Sequence, residues 1–361
     1  MTNERRERPT SAKDDAALAE PTERSTLWAV ARRAGVHAGT ASRALNEATR
    51  PLVAPETLAR VLKAARELNY RPNYAARSLR TQRSMTIGVV IPDIMNALFP
   101  PIVRGIEDTL APSGYVALVA NTGRNLDRER VVLNEMRARS VEGIVVATAR
   151  RDYPLLSEPA FLTLPIVLVN RVTDDGHFSS VSTDDRLGAR LAVTHLLELG
   201  HRRIAHIAGP EALSTGFGRR AGYLEGLRFA GIGASPALVV SADSYAEEEG
   251  YRCTRKLLER RSRFTAVLAA NDMLALGALR ALAERGIRCP EDCSVIGFND
   301  MPLVDRVTPP LTTVRLPQYD AGGEAARLLL DRIRTPEAPV RSVLLAPQLV
   351  VRRSTCAPAP L

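Results

Sequence analysis

The sequence predicts a small all-α unit followed by a larger α/β unit with doubly wound parallel sheets. First, residues 27–46 and 55–68 carry apolar side chains at helical spacing, with Gly35 at a turn between the first two helices. Second, short apolar runs alternate with amphipathic segments from Met85 onward, which favours parallel strands connected by helices. Third, residues 26–84 hold 11 Lys and Arg against 3 Glu, so nearly all of the net charge of +9 lies there.

The segment TLWAVARRAGVHAGTASRALN, residues 26–46, predicts two short helices. Leu27–Ala34 is amphipathic, Gly35 tolerates the backbone of a sharp turn, and Ala38–Asn46 forms the second helix. The second helix exposes small polar side chains and a guanidinium group at Thr40, Ser42 and Arg43. Such donors suit phosphates and base edges, so the pair predicts a DNA-binding helix-turn-helix.

A third helix is predicted to begin at Pro55, which suits a first helical position. The segment continues as VAPETLARVLKAARELNYRPNYAARSLRT, and the whole of residues 26–81 resembles the DNA-binding headpiece of the lactose-repressor (LacI/GalR) family. The resemblance implies DNA contacts from the headpiece and from a following hinge. The matching residues are Thr26, Ala38, Gly39, Thr40, Ser42, Arg43 and Asn46 in the headpiece, and Asn73, Ala76, Arg77 and Leu79 in the hinge.

The hinge prediction depends on NYRPNYAARSLRTQRS, residues 69–84. Pro72 ends the third helix, and Asn73 can cap a short helix from Tyr74 to Leu79. The resemblance implies a helix that orders on operator DNA, with Leu79 as an apolar wedge in the minor groove. A plain basic linker, with Leu79 packed on the core, is the alternative.

Several headpiece residues depart from the family pattern. Ala29 stands where the family usually has Asp, His37 and Ala54 where it usually has Ser, and Ala41 where it usually has Val. Ala54 gives up a helix cap worth about 0.5–2 kcal/mol. We therefore expect a headpiece of modest stability.

The remaining chain predicts two sets of parallel strands with helices between them. The predicted strands are Ile87–Ile91, Val116–Ala120, Ile144–Ala147, Ile166–Val169, Ile204–Ala208, Leu238–Ser241, Ala266–Ala269 and Val295–Gly297. The predicted helices are Ile102–Leu110, Arg128–Arg139, Leu187–Leu199, Ala221–Ala230, Glu247–Arg260 and Met273–Arg285. With a return of the chain near Leu311–Leu316, this region resembles the two-lobed periplasmic-binding-protein-like effector domain of the same family.

Ligands of such sheets bind beyond the carboxyl ends of the strands, which predicts a pocket between the two lobes. The resemblance then implies roles for individual residues near these ends. Leu98 and Phe99 match pocket-wall residues, Tyr245 a stacking aromatic, Arg219 a ligand-clamping arginine, Thr215 a small polar contact, Asn271 a hydrogen-bonding asparagine, and Asn170 and Asn299 positions where Asp often accepts ligand hydroxyls. The resemblance implies a sugar as the effector. Because Asn170 and Asn299 are neutral where many relatives carry Asp, the pocket is expected to be less negative than theirs, which leaves room for an acidic or phosphorylated effector.

Two other patterns are weaker. Gly216, Gly218 and Gly222 approach a dinucleotide fingerprint, but they do not follow a strand directly. Cys289 and Cys293 lie four apart without a second pair or a nearby His, so neither a metal site nor a disulfide framework is expected. No catalytic constellation stands out either, and we expect no enzyme activity and no cofactor.

The predicted protein is a ligand-responsive transcriptional regulator, most simply a repressor, that binds a pseudo-palindromic operator as a homodimer. The expected organisation is a disordered arm at 1–25, the headpiece at 26–70, the hinge and linker at 71–84, the effector and dimerisation domain at 85–353, and a short tail at 354–361. No apolar run approaches the roughly 18 residues of a membrane span, and the N-terminus lacks a secretory core, so a cytoplasmic location is expected. The alternatives are a solute-binding protein without DNA function and an enzyme built on a Rossmann-type domain.

Overall fold

A computed structural model of the chain describes residues 26–46, 49–71, 83–260 and 262–359, without the side chains of residues 160 and 162. The residues fall into two compact units that divide between residues 82 and 83. The predicted N-terminal arm and most of the predicted hinge lie outside the described residues.

The first unit contains three helices packed on a small core. They are α1 (Leu27–Ala34), α2 (Ala38–Leu45) and α3 (Pro55–Glu67). Gly35 ends α1 in the left-handed conformation, with φ of 65°, and its N–H is bonded to carbonyls of the last turn. The core consists mainly of small side chains, namely Val30, Ala31, Ala34, Ala41, Ala44, Val61, Ala64 and Ala65. Alanines bring the helices close together but bury little apolar area, which agrees with a headpiece of modest stability.

The second unit contains two six-stranded sheets, one in each lobe. The first sheet is entirely parallel, in the order β11-β5-β4-β3-β1-β2. Its strands are β1 (Thr86–Ile91), β2 (Val116–Asn121), β3 (Gly143–Val146), β4 (Ile166–Val169), β5 (Ser179–Thr183) and β11 (Ser342–Leu345). Helices that follow strands of this lobe are α4 (Phe99–Leu110), α5 (Leu126–Ala138) and the short α6 (Pro159–Leu162).

The second sheet has the order β12-β10-β9-β8-β6-β7 and is parallel except for its edge strand β12. Its strands are β6 (Ile204–Ala208), β7 (Val239–Ser241), β8 (Ala266–Ala269), β9 (Ser294–Asn299), β10 (Thr312–Arg315) and β12 (Gln348–Val350). The helices of this lobe are α7 (Asp185–Glu198), α8 (Ser214–Phe229), α9 (Glu247–Glu259) and α10 (Asp272–Glu284). A final long helix, α11 (Gln318–Arg334), packs on α4 in the first lobe.

The chain therefore passes between the lobes three times, after β5, after β10 and after β11. The predicted fold class is confirmed, since both sheets are built from parallel strands with connecting helices. Four strands and the helices α6 and α11 were not among the predicted elements. The missed strands are either polar, as in SSVST of β5 and TTVR of β10, or partly exposed edge strands. Their pairing comes from neighbouring strands rather than from a local apolar run.

The C-terminal tail is part of the second lobe. The tail beyond Arg353 packs on the second lobe, where Ser354 is fully buried and its Oγ accepts from the Thr312 N–H at 2.8 Å. Among the described residues, no helix is both long enough and apolar enough to cross a bilayer.

Candidate functional sites

Both ends of α2 in the headpiece are held by side chains. His37 Nδ1 accepts the N–H of Gly39 at 3.1 Å, so His37 caps the helix in place of the usual Ser. Thr49 Oγ1 donates to the Arg43 carbonyl at 2.9 Å beyond the other end. The caps fix the start and end of the helix that carries the predicted DNA-contacting side chains.

The predicted headpiece contacts lie on α2 and at its end, except Thr26, which lies at the start of α1. Arg43 is exposed on α2, and Ala38, Gly39, Thr40 and Ser42 are half-buried beside it. Asn46 is the residue that ends α2. Thr26 caps α1, because its Oγ1 accepts the Ala29 N–H at 3.2 Å.

The headpiece core is braced by an ion pair between its first and third helices. Arg33 Nε lies 2.9 Å from Glu67 Oε2, and both side chains are partly exposed. The predicted hinge contacts Asn73, Ala76, Arg77 and Leu79 lie outside the described residues.

The second candidate site lies between the lobes, at the carboxyl ends of both sheets. Backbone and side-chain contacts join the lobes there: the Arg151 N–H donates to the Ala212 carbonyl at 3.0 Å, and the Val172 N–H donates to Ser214 Oγ at 3.0 Å. The Arg151 guanidinium also lies over the Phe217 ring, 3.8 Å from its centroid. The lobes are thus in contact around the cleft.

Arg219 lies inside α8, whereas the sequence predicted it in a loop past a strand end. Its Nε donates to Asp185 Oδ1 at 2.8 Å, and Nη1 donates to the Ala270 carbonyl at 2.5 Å. Its guanidinium also stacks on Phe298, 4.0 Å from the ring centroid. Burial raises the pKa of the Asp185 carboxyl, and the charge of Arg219 opposes that rise. Arg219 is therefore positioned by protein groups before any ligand binds.

The glycines around Arg219 allow close packing of α8 against neighbouring backbone and side chains. A Cβ on Gly222 would lie 2.3 Å from the Arg186 carbonyl oxygen, and one on Gly216 would lie 2.2 Å from the Pro210 carbonyl oxygen. Gly218 faces the Asp185 side chain in the same way. All three glycines are inside α8, which also removes the turn that a dinucleotide fingerprint requires.

Three of the predicted ligand contacts form one hydrogen-bonded group in the second lobe. Thr215 Oγ1 and the Tyr245 hydroxyl are 2.9 Å apart, and Asn271 Nδ2 donates to the Tyr245 carbonyl at 3.2 Å. Asn271 Oδ1 accepts the Leu274 N–H at 2.8 Å and so caps α10. The structure brings these residues together, while their contact with a ligand stays a prediction.

Asn170 and Asn299 lie at strand ends in opposite lobes, both with left-handed backbone. Their φ angles are 66° and 115°. Asn299 is buried, and its side-chain Oδ1 has no hydrogen-bond partner among the described residues. A buried amide oxygen without a partner carries a desolvation cost that a bound donor would offset.

Leu98 and Phe99 lie at the start of α4 and belong to the apolar core of this unit. Phe99 is completely buried. They lie past the end of β1, as predicted, but their packing contacts are with the core behind the cleft.

Several buried polar groups near the cleft are not among the predicted site residues. Glu129 in α5 accepts hydrogen bonds from the hydroxyls of Thr148 and Tyr153, and burial raises the pKa of its carboxyl. Asp272 accepts from Thr313 Oγ1 at 2.5 Å, and burial raises its pKa to about 7. Thr148 follows β3 closely, so the strand-end rule would have found it. Nothing in the helical pattern around Glu129 distinguishes a buried acid from an exposed one.

The geometry defines a class of protein: a helix-turn-helix headpiece with an exposed arginine, in the same chain as a two-lobed domain with a polar cleft. Comparison with known proteins agrees. Residues 26–73 match the family of bacterial regulatory proteins named lacI, and residues 193–355 match a periplasmic binding protein-like domain.

The relatives extend over almost the whole chain. A ribose operon repressor of Halalkalibacterium halodurans is 35% identical over 331 residues, which is 92% of this chain and 97% of the relative. The lac repressor dimer bound to operator and the anti-inducer ONPF is 30% identical, with a TM-score of 0.83, over 92% of this chain and 99% of that one. A complex of the transcriptional regulator CelR with cellobiose is 34% identical, with a TM-score of 0.70, over 92% and 100%. The chain belongs to the lacI family of bacterial transcriptional regulators.

Proposed function

We propose that this protein is an effector-responsive repressor that binds a pseudo-palindromic operator as a homodimer. The observation that carries the proposal is the presence, in one chain, of a capped α2 bearing Arg43 and a cleft lined by buried polar atoms without partners. The first suits DNA, and the second suits a small polar molecule. A dimer places two headpieces on two half-sites.

The relatives support each part of this proposal. The ribose operon repressor is named as a repressor, the lac repressor structure is a dimer on operator, and the CelR structure contains cellobiose. A sugar or sugar derivative is accordingly the class of effector that we propose. We also propose that the protein has no enzyme activity and acts in the cytoplasm, where operator DNA lies.

The proposed response depends on linkage between the cleft and the DNA. A ligand that binds one closure of the lobes more tightly than another shifts the population toward that closure. The hinge prediction at Leu79, a DNA-ordered helix with an apolar wedge, is the proposed route to the headpieces. Its residues lie outside the described part of the chain, so this route rests on the sequence.

The test begins with selection of a duplex from a random library by the full-length protein. Fluorescence anisotropy then measures binding of that duplex with and without a panel of sugars and sugar derivatives. The proposal predicts a selected site with two-fold symmetry and a change in affinity with one panel class. Failure to select any sequence over random DNA would contradict a specific DNA-binding function.

A further inference from the structure

The strand ends of the first lobe present two arginines that form no ion pair with the residues that the structure describes. Arg150 and Arg171 follow β3 and β4, which are adjacent parallel strands in the sheet. Neither side chain forms an ion pair or a hydrogen bond with any residue that the structure describes. Their neighbour Arg151, in contrast, is paired with Asp174 at 2.8 Å.

Arg171 is the more unusual of the two, because it is only 8% exposed. Its Nε is completely buried and has no acceptor among the described residues. Burial, to which the charges of Arg219 and Arg150 add, lowers the pKa of Arg171 to about 10. A buried arginine without a partner is strongly unfavourable, so this arrangement calls for an anion that the described part of the chain does not supply.

The nearest carboxylates do not fill this need. Glu129 is close enough to favour the charged form of Arg171, but its carboxyl is already bonded to the hydroxyls of Thr148 and Tyr153. Its own burial makes ionisation difficult. Asp185, on the second lobe, is already paired with Arg219.

Arg171 also faces the second lobe rather than the outside of the protein. The next residue, Val172, donates its N–H to Ser214 Oγ across the cleft, and the guanidinium lies near Tyr245 and Arg219. On the second lobe, Asn299 Oδ1 is a buried acceptor without a donor. The cleft thus offers an uncompensated cation on one lobe and a spare acceptor on the other.

We propose that the effector carries an acidic group, a carboxylate or a phosphate, that binds Arg171 and Arg150, together with a hydroxyl that donates to Asn299. This inference rests on the proposed function and narrows its effector class from sugars in general to acidic sugar derivatives. Arg171 has a planar set of donors that suits either anion. Arg219, which the sequence singled out, is already committed to Asp185 and is the weaker candidate for the anion.

The first test needs no knowledge of the sugar. Thermal unfolding of the full-length protein is measured in inorganic phosphate and in chloride at matched ionic strength, for the wild type, Arg171→Gln and Arg190→Gln. Arg190 is a suitable control because it is partly buried and paired with Glu225 away from the cleft strand ends. We expect phosphate to raise the melting temperature of the wild type and of Arg190→Gln, and to have little effect on Arg171→Gln.

A second readout comes from the same variants in chloride alone. If Arg171 is an unpaired buried charge, Arg171→Gln should melt at a higher temperature than the wild type in the absence of an anion. Equal phosphate stabilisation of the wild type and Arg171→Gln, or no stabilisation of either, would overturn the proposal.

The third test distinguishes the two sources of the anion. Calorimetry with glucose, glucuronate and glucose 6-phosphate, and with ribose and ribose 5-phosphate, compares each neutral sugar with its acid. We expect one of the acids, a carboxylate or a phosphate, to bind with at least tenfold higher affinity than its neutral sugar. This difference in affinity should be lost in Arg171→Gln and kept in Arg190→Gln. A neutral sugar that binds as tightly as its acids and still changes operator affinity would refute the acidic effector while leaving the proposed repressor function intact.

Discussion

Arg219 donates from Nε to Asp185 Oδ1 at 2.8 Å, and this bond joins the second turn of α8 to the start of α7. Both side chains are almost completely buried, with 3% and 11% of their area exposed. The guanidinium is therefore held by a carboxylate, a carbonyl and the Phe298 ring before an effector enters the cleft.

The first prediction concerns this pair. Arg219→Ala or Asp185→Ala alone should lower the free energy of unfolding by about 3–5 kcal/mol, because each leaves an uncompensated buried charge. The double variant should cost less than the sum of the two. Urea unfolding followed by circular dichroism measures this, and additive losses would show that the two groups act independently. Where Arg219→Ala is folded, we expect it to lose the effector response and retain operator binding.

The second prediction concerns the glycines of α8. Gly222→Ala should destabilise the second unit by about 1–3 kcal/mol, because its Cβ would meet the Arg186 carbonyl oxygen at 2.3 Å and push α7 from α8. Gly233→Ala is the matched control, since nothing lies within 4 Å of its Cβ. Thermal melting compares the two variants. If Gly222→Ala kept its stability but bound the effector more weakly, the glycine would instead serve to let a ligand approach the backbone.

The third prediction concerns His37 as the cap of α2. His37→Ala should lower headpiece stability by about 0.5–2 kcal/mol, and His37→Ser should retain it, because Ser Oγ can accept the same type of N–H. Hydrogen exchange of the headpiece amides in the full-length protein measures the difference. Equal protection in the Ala and Ser variants would mean that the bond to the Gly39 N–H contributes nothing.

The fourth prediction concerns Asp272 and pH. Burial raises its pKa to about 7 in the folded protein, against roughly 3.9 in an unfolded chain. Between these values the folded state holds a proton that the unfolded state has released, so this group lowers stability as pH rises from 4 to 7, by at most about 1.4 kcal/mol per pH unit. Asp272→Asn should remove that slope, because an amide can still accept from the Met301 N–H and donate to Thr313. Melting temperatures of both proteins across this range test it, and parallel curves would contradict it.

The fifth prediction concerns the DNA surface. Arg43→Ala should weaken binding to a selected operator by about 1–3 kcal/mol if the guanidinium contacts a guanine, with a smaller loss on random DNA. Arg60→Ala, an exposed arginine on α3, is the control variant. Anisotropy titrations on both duplexes give the comparison. An equal loss on both would reduce Arg43 to a phosphate contact.

Elements whose causes are local could be predicted from the order of the residues alone. The helix spacing around Gly35, the proline at the start of α3 and the apolar runs of the central strands each predicted an element that the structure contains. The strand-end rule also led to Asn170, Asn271 and Asn299 without tertiary information, because the carboxyl ends of parallel strands meet at one edge.

The contacts of these residues, in contrast, depend on how the chain packs in three dimensions. The polar strands β5 and β10 form because apolar neighbours pair with them, and no local pattern reports that pairing. Three assignments depend on groups that are far apart in the chain. Arg219 pairs with Asp185, the glycines of α8 serve helix packing, and Arg171 has no ion-pair or hydrogen-bond partner among the side chains of the described residues. Whether a buried charge is compensated is a property of the surrounding side chains in space, and periodicity along the sequence carries no information about it.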